Sequence, residues 1–249
     1  SAHYSSLLAD TIKISPLPYL NRVSAIEWEK MPDDKWNEIE TKINPSAAKL
    51  AAIVFEPILQ GAGGMKIYSM DFLRRLRKWA DKNDVLLIAD EIMTGFHRTG
   101  PVFACNHAGI VPDLVCLSKG LTAGWGAMSA VLTGDKIYSA FYDDSIEKAF
   151  LHSSTYAGNA LCASAALEAL NIYEKEGIEE KVKNAGPLLL SLMDEISADS
   201  GALANVRGIG CVVAADIVNP QTGNSFPPER QTGFMFYQRA FRNGAFLRN

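Results

Sequence analysis

The sequence predicts an α/β protein in which a large domain carries a mainly parallel sheet and part of a smaller α+β domain follows it. Three observations predict this. Short unbroken apolar runs recur at 51–55, 85–89 and Leu114–Leu117, the pattern of strands buried on both faces. An amphipathic helical stretch separates the first two runs, so they can lie parallel with a crossover between them. The first run ends at Glu56-Pro57, and the second and third deliver chemically useful residues to their carboxyl ends: Asp90 and Glu91, then Ser118 and Lys119. Ligands of such sheets gather outside the carboxyl ends of the strands.

Along the chain, the first run leads into a Gly-rich loop, Gln60-Gly61-Ala62-Gly63-Gly64-Met65. Ser69 then offers a helix cap, and Met70, Leu73, Leu76 and Ala80 share one face of a helix that stops near Asn83. The second and third runs deliver Asp90 and Lys119. Residues 127–133 read as one more strand, 159–176 as a helix rich in Ala and Leu, and 178–197 as a helix turning Val182, Ala185, Leu188 and Leu189 inward. Gly208-Ile209-Gly210 opens an apolar strand over 211–217. The shift from αβ units to a helix, strand and helix arrangement divides the chain into a large domain, 1–190, and part of a smaller one, 191–249. There is no internal repeat.

A net charge of −4 with 24 scattered Lys and Arg leaves no basic face for nucleic acid or an anionic membrane. No apolar run reaches the about 18 residues of a membrane-spanning helix. A small-molecule ligand and a cytoplasmic location are expected. Cys105, Cys116, Cys162 and Cys211 show no C-x-x-C spacing and are expected to be buried free thiols. The first residue is Ser and 1–25 shows no start of a domain, so a chain lacking its front part is expected.

Asp90 ends five apolar residues, where a carboxylate is partly desolvated and calls for a cationic partner. A protonated pyridine nitrogen is such a partner, and a cap or an Arg pair is the plainer one. Apolar residues followed by Asp-Glu also fit a Walker B strand, in which the Asp holds Mg²⁺ and the Glu prepares a water. That reading needs a G-x-x-x-x-G-K-[ST] loop, which this chain does not contain. It also leaves Lys119 idle. A lysine emerging from an apolar strand into a Gly-containing turn is poorly placed as a surface charge, and a desolvated amine is nucleophilic toward an aldehyde. A third element lies at 152–159, His-Ser-Ser-Thr-Tyr-Ala-Gly-Asn, with hydroxyls and backbone N–H groups just before a helix. It suits a phosphate, or equally an ordinary helix cap.

With these residues in hand, the stretch 86–100 (LLIADEIMTGFHRTG), with Pro112-Asp113 and Ser118-Lys119-Gly120, resembles the signature of class III aminotransferases, which depend on pyridoxal 5'-phosphate. Resemblance extends from about residue 51 to 249. It implies a fold-type-I PLP-dependent transferase and a homodimer with its active site at the interface, passing an amino group from an amino donor to a keto acceptor. By position it implies that Lys119 is the catalytic Schiff-base lysine, Asp90 the partner of the cofactor's ring nitrogen and Met93 a residue against the ring. Ser154 and Thr155 would bind the phosphate across the dimer interface. Ser153 would lie near the substrate, Arg248 would hold the substrate carboxylate, and Arg98 would pin the loop after Asp90. The family's front third, with a Gly-Ser phosphate loop and a ring-stacking Tyr, has no counterpart here. An ATPase of the P-loop type or a non-catalytic binding protein stands as the alternative.

Overall fold

Three parallel strands bring their carboxyl ends to one edge of the molecule: β2 (Ala52–Phe55), β5 (Leu86–Asp90) and β6 (Leu114–Leu117). The computed structural model describes residues 11–20 and 28–247. Register is fixed by pairing Phe55 with Ala89 and Asp90 with Cys116. The fourth strand, β7 (Ala130–Thr133), pairs antiparallel with β6, Leu117 opposite Ala130, giving the sheet order β2-β5-β6-β7. Only a 3-10 turn, Lys119–Thr122, intervenes between β6 and β7. A parallel return is usually made by a crossover helix; none lies in this connection, and the chain doubles back.

Between β2 and β5 run two short strands, β3 (Leu59–Gln60) and β4 (Lys66–Tyr68), and then the helix α2 (Met70–Asn83). The Gly-rich loop is the turn of the β3–β4 hairpin, and β1 (Tyr19–Leu20) adds to it in the order β1-β4-β3. Ser69 Oγ accepts the Phe72 N–H at 3.3 Å and caps α2, while Asp84, left-handed at φ 51°, ends it. The helix buries Met70, Phe72, Leu73, Leu76 and Trp79, each worth roughly 1.5–3 kcal/mol of burial. They join Leu87 and Ala89 of β5 and Trp36, Ile39 and Ile43 of α1 (Asp33–Ile43) in the main core.

After α3 (Cys105–Ala108) and the sheet come α4 (Asp135–Phe141), α5 (Ala160–Lys175) and α6 (Ile178–Ser200). The last runs unbroken past residue 190. An antiparallel hairpin of β8 (Leu203–Ile209) and β9 (Val212–Ile217) and the helix α7 (Thr232–Arg242) complete the described chain. The hairpin tip is seated by backbone on backbone. A side chain on Gly210, at φ 55°, would put its Cβ 2.6 Å from Arg98 O, and one on Gly186 would put it 2.7 Å from Gly210 O. Cys211 N–H donates to Arg98 O at 3.1 Å. Arg207 donates to Gly64 O at 2.6 Å and to Met65 O at 3.2 Å, tying the hairpin to the Gly-rich loop.

Of the cysteines expected to be buried, Cys105 is, Cys116 and Cys162 are partly so, and Cys211 is exposed. The correction follows from position, because Cys211 lies at the hairpin turn and not in the apolar strand after it. Among the described residues no helix is long and apolar enough to cross a membrane.

Asp113 locks the start of β6 to its neighbours. One carboxylate oxygen accepts Arg77 Nη1 and the Leu87 N–H, both at 2.7 Å. Burial pushes this carboxyl up, but the bonds to Arg77 and Leu87 outweigh it and hold the pKa below the usual carboxylate range. A lowered folded-state pKa stabilises above the unfolded value, and that stability is lost as pH falls through the folded value. Asp113→Asn is therefore expected to cost about 1–3 kcal/mol near neutral pH, with the gap closing in acid. Urea unfolding over a pH series measures it, and a gap independent of pH would refute the assignment.

Candidate active site

The flush carboxyl ends of β2, β5 and β6 place Glu56 beside Asp90 and set Lys119 just beyond Cys116. Glu56 reports the neighbourhood. Its carboxyl is raised first by burial, then lowered by the Gly61 N–H, raised by the charge of Asp90 and lowered by that of Lys119. The three groups thus share one electrostatic environment. Glu56 Oε1 accepts the Gly61 N–H at 3.0 Å.

Asp90 is half-buried, and its Oδ1 accepts the Ile92 N–H at 3.1 Å, which fixes the carboxylate over the strand end. Met93 packs against the Gly-rich loop, where a Cβ on Gly61 would come within 3.2 Å of Met93 Cγ and 3.3 Å of Glu56 Oε1. Glycine lets the loop approach both. Lys119 starts the 3-10 turn at φ 42°, an uncommon conformation for a lysine. Ser118 Oγ donates to Met128 O at 2.8 Å and Thr122 Oγ1 to Gly126 O at 2.6 Å, bracing the turn on both sides. The side chain of Lys119 is exposed, so the expectation of a desolvated amine is corrected: it emerges from an apolar strand into open space at the sheet edge.

Strand alternation sends Glu91 the other way, to 0% exposure. Its carboxylate accepts the Cys105 N–H at 2.9 Å, the Ala104 N–H at 3.0 Å and the Thr94 hydroxyl. Burial raises this carboxyl, and burial with the Glu91 charge pushes the Cys105 thiol far up. Glu91 therefore fastens the loop that follows Asp90 to the first turn of α3. A glutamate so enclosed cannot prepare a water, which removes the Walker B reading.

Ser153, Ser154 and Thr155 lie in an exposed stretch, and Ser153 Oγ donates to Ser154 O at 3.4 Å. Among the described residues no hydrogen bond joins them to Asp90, Met93 or Lys119. The cap of α5 is Asn159, whose Oδ1 accepts the N–H groups of Leu161 and Cys162, both at 3.1 Å, so the three hydroxyls are not spent as caps. Arg248 lies outside the described residues. The Arg98 side chain is exposed, and it is the Arg98 carbonyl that the hairpin holds. Glu56 was read only as the end of a strand; the rule that singled out Asp90 and Lys119 applies to it equally.

Comparison with known proteins gives the family. Residues 2–247 match the profile of the family described as aminotransferase class-III. The chain is similar to adenosylmethionine-8-amino-7-oxononanoate aminotransferase of Geobacter sulfurreducens, at 36% identity covering 85% of this chain and 47% of that protein. It is similar to the Aquifex aeolicus protein of the same name, at 35% identity covering 98% and 54%. Among solved structures, the enzyme of that name from Methanocaldococcus jannaschii superposes with a TM-score of 0.80 at 32% identity, covering 86% of this chain and 50% of that one. An amine transaminase from an uncultivated Pseudomonas species gives 0.79 at 32%, covering 87% and 49%. The chain spans about half the length of the curated relatives it matches.

An amide at position 91 would turn an NH₂ group toward donors that now meet a carboxylate. Glu91→Gln is expected to lose about 2 kcal/mol, seen as a lower urea midpoint with an unchanged slope. Equal stability of the two proteins would show that the loop is held some other way.

Proposed function

Because the chain belongs to the class-III aminotransferases, we propose that the whole protein transfers amino groups with pyridoxal 5'-phosphate, Lys119 carrying the cofactor and Asp90 facing its ring nitrogen. The observation that supports this most is the convergence of Lys119 and Asp90 at the carboxyl ends of adjacent parallel strands. The donor set suits the ring end of the cofactor: a primary amine, a fixed carboxylate and a thioether, with Gly61 leaving space beside Met93. When bound, the cofactor supplies an aldehyde for amines to condense with and a ring that accepts the electron pair left when a substrate C–H bond breaks.

The chain's own residues supply the rest. The Lys119 amine binds, and when free it takes and returns the proton of the substrate carbon. Asp90 keeps a proton on the nitrogen it faces through a charge-assisted hydrogen bond. Ser154 and Thr155 belong to the proposal as phosphate ligands of a partner subunit in a homodimer, and their exposure, uncapped and free for another group, supports that. Ser153 near the substrate, Arg248 on its carboxylate, a cytoplasmic location and the division at residue 190 belong to it as well. The separate β8–β9 sheet supports a division, although α6 carries the chain unbroken through residue 190 to Ser200.

The relatives' names favour transfer from S-adenosylmethionine to 8-amino-7-oxononanoate, giving 7,8-diaminononanoate for biotin. A second reading, an ω-aminotransferase using another amine donor, is favoured by the amine transaminase of equal identity.

Full-length protein loaded with pyridoxal 5'-phosphate is expected to show a visible absorbance band that borohydride bleaches and Lys119→Ala abolishes. Absence of the band from wild-type protein would sink the reading. Asp90→Asn is expected to lower turnover by roughly 10- to 100-fold, the worth of one charge-assisted bond. Decay of the band on adding S-adenosylmethionine, against other amines, decides between the two donors.

A further inference from the structure

Lys119 sits in a backbone conformation that L-residues disfavour, and such a conformation persists only where its surroundings enforce it. The enforcing contact comes from far along the chain. Tyr173, near the end of α5, donates its hydroxyl to Gly120 O at 2.6 Å. That carbonyl also accepts the Ala123 N–H at 3.1 Å, the bond that closes the turn started by Lys119. One oxygen thus receives both the internal bond of the turn and an external one.

The ring of Tyr173 is fixed as well. It stacks on Phe96 at 5.9 Å between centroids and meets the edge of His97 at 6.1 Å. Phe96 in turn presses on the turn: a Cβ on Gly120 would fall 2.9 Å from its side chain. Phe96 belongs to the loop that Glu91 fastens, and it packs with Leu117, Leu121 and Ala166 in a second small core. The loop after Asp90, the turn after Lys119 and α5 therefore meet at one aromatic pair, and the Tyr173 hydroxyl is the polar bond that joins them. Burial raises the pKa of this hydroxyl, so it keeps its proton and remains a donor.

We propose that Tyr173 is a positioning residue for Lys119: its hydroxyl, aimed by the Phe96 stack, holds the 119–122 turn so that the lysine amine is presented on the Asp90 side of the sheet edge. What the amine does there rests on the function proposed above. The hold itself does not.

Tyr173→Phe removes the hydroxyl and keeps the ring. In cofactor-free full-length protein, hydrogen exchange of the Leu121 and Ala123 amides is expected to speed up about tenfold, the effect of losing one hydrogen bond. The amides of β5 and of the middle of α5 should be unchanged. In the loaded protein the variant is expected to form the borohydride-sensitive band with a shifted pH midpoint and at a several-fold higher cofactor concentration. Gly120→Ala, which presses a methyl group into Phe96 from the other side, is expected to shift exchange in the same direction and supplies the test if Tyr173→Phe does not fold. Unchanged exchange at Leu121 and Ala123, with an unchanged band midpoint, would overturn the proposal and leave Tyr173 a packing residue. A wild-type protein that never forms the band would overturn the cofactor reading alone, since the exchange measurement still decides the hold.

Discussion

Parallel pairing of β2, β5 and β6 with their ends level is the constraint from which the rest of the site follows. Because Asp90 pairs with Cys116 and Phe55 with Ala89, each of the three strands stops within a residue of its neighbour, and whatever each carries next is delivered to the same edge. There the backbone N–H and C=O groups are no longer all paired within the sheet. Local bonds such as Ile92 N–H to Asp90 and Ser118 Oγ to Met128 O take over, and these bonds aim the side chains. Moving β5 by a residue would turn Asp90 to the face that Glu91 occupies, where the partners are amide N–H groups.

The adjacent pair Asp90-Glu91 shows how one dipeptide divides its work. Alternation along the strand gives one carboxylate to the open edge and the other to the core. The buried one is tolerated because three donors converge on it. In return it anchors the loop bearing Met93, Phe96 and His97. A structural carboxylate and a chemical one are thus consecutive in sequence, and each depends on the other being where it is.

The sequence showed those parts whose physics is local. Unbroken apolar runs located β2, β5 and β6, and the capped amphipathic pattern located α2 from Ser69 to Asn83. Strand β8 escaped because Asn205 is left-handed and the pairing shifts between Ala204 and Arg207, breaking the alternation that marks a strand. At the site, Asp90 and Lys119 were legible as strand ends. The reach of Tyr173 across 53 residues was not, because it is decided by geometry that the chain acquires only on folding.

The seating of the β8–β9 hairpin carries a last consequence. Gly186, Gly210 and the Arg98 carbonyl touch main chain to main chain, with no side chain between them to shorten, lengthen or rotate. Elsewhere a bulky replacement can be absorbed by a neighbour choosing another rotamer; here there is no such slack. Evolutionary drift at this seam is confined to leaving these two glycines as they are or abandoning the seam altogether, so descendants of this protein should divide into those that keep the hairpin against the loop after Asp90 and those that have rebuilt both.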